Sequence, residues 1–306
     1  MTDLALNAAP SPSTTLDEPR RSLIGDLRVI AVNEIWRYRE LLYQLTLRDV
    51  RIRYKQAVMG FAWAVLMPGL IVAAGTLVRF AMAYMSGGNV AIAEIAGMAV
   101  KALPWAFFVG AIGFATNSLT GNLPLVSKIY FPREVLPLSA TLAQSFDSTI
   151  GALTVAIALP VIGIHYTLAA LWVIPLAALI FLFTAGAALF LGCANLFFRD
   201  VKYIVQVLLT FGIFFTPVFF EVRMFGPLGA RLMMLNPLAP LLEGLRLSVV
   251  QGHNLLHPLL QPATHGGIVL AWSPWYLAYS AAWAVLGFLA SALVFHRAEA
   301  VFAEYV

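Results

Sequence analysis

The chain has 306 residues, of which 61% are hydrophobic and only 11% are charged, and its mean hydropathy is +0.85. Soluble domains are about 45–50% apolar and about 25% charged, so this composition excludes an ordinary water-soluble protein. The net charge of +4 and the pI near 9.3 do not indicate a nucleic-acid binder, because the basic residues gather at the start of the chain and in joints between apolar runs.

The N-terminal part precedes the first long apolar run. The first 20 residues are rich in Pro, Ser, Thr and Ala and lack the basic start and apolar stretch of a secretory signal, so we expect a disordered cytosolic tail over residues 1–32. Residues 33–56 carry aromatic and apolar side chains at helical spacing, which predicts an amphipathic helix in the membrane interface. Its candidate residues are Trp36, Arg48, Arg51, Arg53, Tyr54 and Lys55. An ordinary juxtamembrane segment with cytosolic positive charge explains the same pattern.

Six apolar runs are long enough to cross a bilayer, whose hydrocarbon core of about 30 Å needs roughly 20 apolar residues in a helix. The predicted spans are residues 58–83, 103–120, 137–163, 168–195, 202–220 and 274–295. The predicted fold class is an all-α integral membrane protein with a single transmembrane domain over residues 33–306. The chain shows no internal repeat of the kind found in many secondary transporters.

Lys and Arg are distributed unevenly around these spans. With the N-terminus inside, fourteen of the nineteen basic residues fall in cytosolic segments and four, including Lys101, in outer segments, while Arg79 lies near the outer end of the first span. Cytosolic loops of membrane proteins are enriched in positive charge, so both termini are predicted to be cytoplasmic. We expect Arg79 to extend toward the outer interface.

The outer segment at 221–273 is too long for a tight turn. Its apolar piece at 236–252 is too short to cross the bilayer, and it predicts re-entrant or interfacial half-helices between spans five and six. Asn236 and Pro237 favour a helix start, and Glu243 and Arg246 lie one turn apart, where they can pair on a polar face. A loosely folded external loop is the alternative.

The sequence contains no catalytic constellation that we recognise. None of the four lysines follows a glycine, so a phosphate-binding GxxxxGK[ST] loop is absent. The five histidines form no HExxH motif, and the single cysteine, Cys193, excludes a disulfide framework and a CxxC pair. We therefore expect a chain that is not an enzyme and that holds no metal and no cofactor.

Asp147 is the only carboxylate well inside a predicted span, where a charge costs at least about 2.5–3.5 kcal/mol. It must face protein or water, either in a pore or subunit interface or as a hydrogen-bonded structural acid. Aromatic residues gather near the span ends, where they form an interfacial belt or line a path for sugars. The channel candidates are Trp63, Trp105, Asp147 and Phe215.

Several stretches together resemble one family of transporters. They are LRDVRIRYKQAVMGFAWAVLMP at 47–68, LPWAFF at 103–108, NSLTGNLPLVSKIYFPREVLP at 117–137, FFRDVKYIVQVLL at 197–209 with FFTPV at 214–218, and NP-x-x-P-x-x-E-x-x-R at 236–246. The combination is similar to type-2 ABC exporter permeases of the polysaccharide branch, the Wzm and TagG group. The resemblance covers the chain from about residue 30 to its end.

The resemblance implies a half-transporter. Two copies of the chain enclose a channel, and two copies of a separate cytosolic ATPase, which holds ATP and Mg²⁺, drive it. The joint at 121–137 then docks on the ATPase, with expected contacts at Lys128, Tyr130, Phe131, Pro132 and Arg133. Prolines stiffen this joint, although without the resemblance it is an ordinary basic loop. The family also places helix 33–56 at the ATPase interface and residues 236–250 at an outer gate, with candidates Asn236, Pro237, Glu243 and Arg246.

The function implied by the resemblance is export of a glycan on an undecaprenyl-type lipid across the bacterial cytoplasmic membrane, with O-antigen expected first and teichoic acid or capsule next. One alternative is a small-molecule or drug efflux permease of the same architecture. A membrane-embedded glycosyltransferase or a scaffold is the alternative from a different class. The expected partners are the ATPase, a second copy of this chain, the membrane and the lipid-linked glycan, with no nucleic acid.

Overall fold

The structure is a computed structural model that describes residues 37–55, 60, 62–87, 89–128, 131–262, 267–299 and 301–302. Its helices are, in chain order, α1 (Arg39–Tyr54), α2 (Ala62–Ser86), α3 (Ile92–Thr116), α4 (Leu123–Lys128), α5 (Val135–Val161), α6 (Val173–Phe197), α7 (Val201–Gly212), α8 (Gly226–Met234), α9 (Leu238–Val249) and α10 (Pro274–Glu299). Short 3₁₀ turns cover Thr120–Asn122, Leu168–Trp172 and Val222–Phe225, and a hairpin joins β1 (Leu259–Pro262) to β2 (Ile268–Trp272). The predicted tail at 1–32 and Trp36 lie outside the described residues.

Within the described residues, five helices are long and apolar enough to cross a membrane: α2, α3, α5, α6 with the 3₁₀ turn before it, and α10. Each has at least 24 residues and extends at least about 36 Å, which exceeds the roughly 30 Å of a bilayer core. α6 packs along α10, α3 packs against both α5 and α6, and α2 lies on α3 and α5 with most of its surface exposed. The predicted class of helical membrane protein is confirmed.

The helical bundle has two distinct ends. At one end the Phe197 ring, which closes α6, contacts the Phe302 ring beyond α10, with centroids 5.7 Å apart; we call this the Phe302 end. At the other end the 3₁₀ turn before α6 packs against α9, and β2 leads directly into α10; we call this the hairpin end. The helices α6 and α10 therefore run parallel to each other.

The second long helix begins well before the predicted start at residue 103. α3 begins at Ile92 and includes Glu94 and Lys101, two charges that a hydropathy pattern excludes from a span. Each side chain pairs with an oppositely charged group from a distant part of the chain, which is information that no local pattern contains. Lys101 thus lies inside a helix, and its position outside the membrane stays a prediction.

The predicted span 202–220 is only partly helical. α7 has 12 residues, which extend about 18 Å, and the chain continues through turns to Val222. Because α7 follows α6 at the Phe302 end, and Val222 packs on Val269 of β2 at the hairpin end, the segment still runs the length of the bundle. The side-chain amide of Asn236 supports its non-helical part by donating to the Thr216 hydroxyl at 3.1 Å. The count of six spans remains a prediction.

The segment at 221–273 has a defined fold. Every residue of α9 is buried, and β1 pairs antiparallel with β2. Trp272 is fully buried, and its indole N–H donates to the Leu255 carbonyl at 2.8 Å. The alternative of a loose external loop was wrong, and the sequence reading missed the two strands because a short hairpin depends on cross-strand pairing.

Candidate functional site

The predicted coupling joint at 121–137 packs onto the core of its own chain. Phe131 is 6% exposed and lies in a hydrophobic cluster with residues of α6 and α10. Pro132 is buried beside it. The side chain of Lys128 and all of Tyr130 lie outside the described residues. Phe131 therefore anchors the joint within this chain, which differs from the surface contact expected of it.

Arg133 fastens this joint to the last helix. Its guanidinium donates from Nη1 to the backbone carbonyl of Glu299 at 3.1 Å and from Nη2 to the carbonyl of Val126 at 3.3 Å. Its backbone N–H donates to Oε1 of Glu299 at 3.1 Å, and the guanidinium carbon lies 5.7 Å from the centre of the Phe302 ring. Hydrogen bonds from a charged donor are stronger than neutral ones, so Arg133 links the joint firmly to α10.

The helix α1 is anchored on α5 through Asp147. Arg53 forms an ion pair with this carboxylate and donates to the Gln144 side-chain oxygen at 2.9 Å, while the Tyr54 hydroxyl donates to the other carboxylate oxygen. The Arg53 guanidinium carbon also lies 4.2 Å from the centre of the Phe114 ring of α3. Asp147 is 8% exposed, and these contacts fit the hydrogen-bonded structural acid. Its assignment to a channel stays a prediction.

The other predicted residues of α1 form a basic surface. Arg51 and Lys55 are exposed, and Arg48 is half-buried and pairs with the neighbouring Asp49 at 2.8 Å. Burial, followed by the hydrogen bond to the carboxylate on α5, raises the pKa of Tyr54, which therefore stays a neutral donor. One side of α1 is thus bonded to the bundle while the other carries positive charge.

Seven charged side chains form a cluster at the hairpin end; this charged cluster consists of Arg79, Glu94, Lys101, Glu221, Arg223, Glu243 and Arg246. The Nε atom of Arg246 donates to Oε1 of Glu243 at 3.0 Å, a pairing that the sequence predicted, but both residues are buried instead of lying on a polar face. The Lys101 Nζ lies 3.7 Å from Oε2 of Glu243 and donates to the Phe220 carbonyl at 2.7 Å.

Glu94 extends the charged cluster toward the first long helix. Its carboxylate pairs with Arg79 of α2 and lies 3.6 Å from Nη2 of Arg223. The Arg79 side chain is 13% exposed and pairs within the chain, while its extension to the outer interface stays a prediction. Glu94 and Lys101 are two helical turns apart and share one face of α3, which is the signal in the sequence that could have revealed the cluster.

The charged cluster holds four segments together: α2, α3, the chain around the 3₁₀ turn Val222–Phe225, and α9. Burying an ion costs several kcal/mol, and attraction between ions offsets this cost only while each one keeps its partners. Burial disfavours the ionised form of Glu221, but Arg246, 3.5 Å away, and Arg223 outweigh burial and lower its pKa. Glu221 is therefore ionised at neutral pH, and the segments of the cluster cannot separate without leaving a buried charge unpaired.

The outer-gate candidates lie where the chain after α7 meets α9. The side-chain amide of Asn236 donates to the Phe215 carbonyl at 3.3 Å, and its Oδ1 accepts from the Leu238 backbone N–H at 3.1 Å. Pro237 directly precedes the first residue of α9. Asn236 thus links the start of α9 to the non-helical continuation of α7, while its role in a gate stays a prediction.

A groove of about 500 Å³ lies between α3 and α7. Its polar lining comprises Thr116, Asn117, Lys202, Gln206 and Thr210, and Trp105, which is 4% exposed, borders it. Of the four channel candidates, Trp105 alone lines this groove, while Trp63 and Phe215 are 44% and 74% exposed elsewhere on the surface. Polar groups in an otherwise apolar recess are typical of sites that orient a ligand.

The fold and these sites define a class of protein, which comparison with known proteins establishes. The chain matches the ABC-2 type transporter family over residues 40–250, more than half of its length, and it belongs to that family. It is therefore a multi-pass membrane permease, and the resemblance to type-2 ABC exporters is confirmed.

Two sets of relatives sharpen this assignment. The chain is 29% identical to the O-antigen export system permease protein RfbA of Myxococcus xanthus over 250 residues, which cover 79% of this chain and 92% of that protein. Two proteins of Klebsiella pneumoniae with the same name are 28% identical over 207 residues, which cover 66% of this chain and 77% of each relative.

Proposed function

We propose that this chain is the membrane-spanning permease of an ATP-driven exporter that moves lipid-linked polysaccharide, foremost an O-antigen, across the bacterial cytoplasmic membrane. The observation that carries the proposal is the similarity to an O-antigen export permease over nearly all of that relative's length. The sequence has no phosphate-binding loop. ATP hydrolysis therefore belongs to a separate subunit, as membership of an ABC transporter family implies.

The chemistry of the cargo requires an enclosed and hydrated path. A polysaccharide is polar along its whole length, and each hydroxyl left unpaired in hydrocarbon costs about 2–7 kcal/mol. The groove between α3 and α7 supports such a path, because hydroxyl and amide groups that can bond sugar hydroxyls line it. One chain supplies one wall, and we propose that a second copy closes the channel.

The apolar surface of α7 supports this pairing. Its exposed large side chains include Tyr203, Ile204, Val207, Leu208 and Phe211. Tyr203 also lines the groove. A second copy of the chain that covers this apolar surface therefore lies beside the groove. Lipid could cover the same apolar surface. The oligomeric state of the protein in detergent distinguishes a dimer interface from a lipid-facing surface.

We place the Phe302 end in the cytoplasm and the hairpin end outside. Positive charge on α1 and around the joint at 121–137 supports this orientation. An ATPase docked there contacts two elements that are tied to long helices, since Arg53 joins α1 to α5 and Arg133 joins the coupling joint to α10.

Labelling with a membrane-impermeant thiol reagent tests this orientation. In a chain with Cys193 replaced, Arg51→Cys on α1 and His257→Cys at the hairpin end introduce exposed thiols. On intact spheroplasts, the reagent is expected to label His257→Cys and to label Arg51→Cys only after lysis. The opposite pattern contradicts the orientation.

Depletion of the protein tests the cargo. In a strain that makes O-antigen, loss of this chain should remove the glycan from the surface and leave lipid-linked glycan inside the cell until carrier lipid runs short. Complementation with the wild-type chain should restore surface glycan. If surface glycan persists while resistance to an amphiphilic drug falls, the chain is an efflux permease instead.

A further inference from the structure

A second groove, of about 460 Å³, lies between α5 and α6 toward the hairpin end; we call it the apolar groove. Ala156 of α5 and Ala177 of α6 line it with small side chains, and Ala170 of the 3₁₀ turn before α6 lines it at the hairpin end. Phe107 of α3 and Leu245 of α9, which are almost completely buried, also line it. The apolar groove therefore reaches from the surface into the core of the bundle.

The lining of the apolar groove suits hydrocarbon better than water. Among the described residues that line it, none is charged. The Ser145 hydroxyl donates to the Thr141 carbonyl at 3.1 Å, and the Thr149 hydroxyl donates to the Ser145 carbonyl at 2.8 Å. The Tyr166 hydroxyl donates to the Ala156 carbonyl at 2.6 Å. A buried water needs about two to four polar partners, and hydroxyls that already donate within the chain offer it few.

The rim of the apolar groove is continuous with a surface that faces lipid. Leu153 of α5 and Val173 of α6 line the groove and are themselves exposed. Next to them, Ile157 and Ile174 are each 71% exposed. Both α5 and α6 are long and apolar enough to cross a membrane, so the hydrocarbon chains of the bilayer cover this surface. The material at the mouth of the groove is therefore lipid.

An apolar recess of this size is unfavourable when it is empty, because the atoms that line it lose dispersion contacts. Its volume is roughly three times that of an apolar cavity of about 150 Å³ that stays dry and takes up benzene. A flexible hydrocarbon chain that enters from the bilayer restores these contacts without burying a polar group.

The apolar groove is distinct from the groove between α3 and α7. α3 contributes Leu103 and Phe107 to the apolar groove, and it contributes Trp105 and Val109 to the other. Residues two apart in a helix are separated by about 200° around its axis, so the two grooves lie on opposite faces of α3. This separation favours a lipid of the surrounding membrane over the lipid of the cargo as the occupant.

We propose that the apolar groove binds one acyl chain of a membrane phospholipid, which enters from the leaflet at the hairpin end. Because its described lining carries no charge, the groove recognises the acyl chain and not the head group. The bound acyl chain fills the space between α5 and α6 and stabilises their packing near α9. This binding is a property of the protein alone and does not depend on the identity of the cargo.

Titration of the purified protein with phospholipid tests the proposal. The full-length protein is delipidated in detergent, titrated with dioleoylphosphatidylethanolamine, and studied by native mass spectrometry and thermal unfolding. We expect one saturable lipid per protein chain and a higher unfolding midpoint with the lipid bound, because a ligand that binds only the folded state stabilises it. Dioleoylphosphatidylglycerol, which differs only in its head group, should bind equally well.

Two substitutions fill the apolar groove from different helices. Ala156→Phe on α5 and Ala177→Phe on α6 should each weaken lipid binding at least about tenfold, since the new ring occupies the space of the acyl chain. The matched controls are Ala158→Phe and Ala178→Phe, which place the same ring at exposed positions of the same helices outside the groove. Both controls should bind lipid as the wild type does. If one groove variant fails to fold, the other decides.

Absence of a saturable lipid, or equal affinity in the groove variants and their controls, overturns the proposal. Displacement of the phospholipid by an equimolar amount of undecaprenyl phosphate also overturns it, because the groove then belongs to the cargo lipid. Loss of a dimer in Ala156→Phe but not in Ala158→Phe overturns it as well, since a second copy of the protein then covers the groove.

Discussion

The two ends of the bundle are held together by different forces. At the hairpin end, the charged cluster joins four segments, and Lys101, Glu243 and Arg246 are almost completely buried. At the Phe302 end, packing of Phe131, Phe295 and Phe302 is supplemented by the polar contacts of Arg53 and Arg133. Apolar packing is non-directional and tolerates small shifts, whereas buried ions lose their partners on separation. We therefore propose that the hairpin end is the fixed end and that movement enters at the Phe302 end.

The largest effect is expected from Glu243→Gln, which removes the central anion of the charged cluster. Lys101 and Arg246 then remain buried without their main partner, and breaking a buried pair in this way costs about 3–5 kcal/mol. We expect a clear drop in the thermal unfolding midpoint in detergent and less protein in the membrane.

Glu40→Gln is the control for this prediction, because Glu40 is exposed on α1. Adding Lys101→Met to Glu243→Gln should recover part of the loss, since it removes one stranded charge. If Glu243→Gln unfolds at the same temperature as the control, the buried ion pairs do not stabilise the hairpin end, and the proposed difference between the two ends is wrong.

An intermediate effect is expected from Arg53→Gln at the Phe302 end. The change removes the ion pair with Asp147 and the bond to Gln144, and hydrogen bonds to charged groups contribute about 1.5–3 kcal/mol. The measurement is a double-mutant cycle with Asp147→Asn, read by thermal unfolding. Arg51→Gln on the exposed side of α1 is the control. Additive losses in the cycle would show that α1 is not tied to α5 through Asp147.

The smallest effect on stability is expected from Arg133→Gln. Hydrogen bonds to charged groups contribute about 1.5–3 kcal/mol when solvent is excluded. The half-buried Arg133 should lose less, because water replaces part of its bonds to the two backbone carbonyls. Export should fall more than stability because the coupling joint loses a link to α10. Surface glycan per amount of folded protein is the measure, with the exposed Arg199→Gln as control. Normal export by Arg133→Gln would remove the coupling role of this link. Phe131→Ala is less informative, because truncating a buried Phe costs about 3–5 kcal/mol by itself.

The sequence predicted the long apolar helices because each membrane-spanning helix must by itself contain enough apolar residues to cross the bilayer. The helices α5, α6 and α10 accordingly begin and end within a few residues of the runs at 137–163, 168–195 and 274–295, apart from the last turn of α10. The predicted second span was shorter than α3 because the charges at the start of α3 are compensated by residues far along the chain, which the sequence pattern does not show. The early end of α7 and the β hairpin likewise depend on tertiary contacts, such as those of Asn236.

In the candidate sites, too, some features were predictable from the sequence and others were visible only in the folded chain. The pair of Glu243 and Arg246 was predictable, since it depends only on spacing along one helix. Its extension to Lys101 and Glu221 was not, because those residues come from other segments. The coupling joint was found through family resemblance, but its burial around Phe131 and its bond to Glu299 were visible only in the folded chain.

Reconstitution shows whether the chain forms the membrane path for a lipid-linked polysaccharide. The permease and its ATPase partner are placed in liposomes that contain purified lipid-linked O-antigen, and lectin access to the glycan is followed on the side opposite the ATPase. We predict ATP-dependent appearance of glycan there, reduced by Arg133→Gln and unchanged by Arg199→Gln. ATP hydrolysis without any movement of glycan, accompanied by movement of a small amphiphile, would show instead that the chain is an efflux permease.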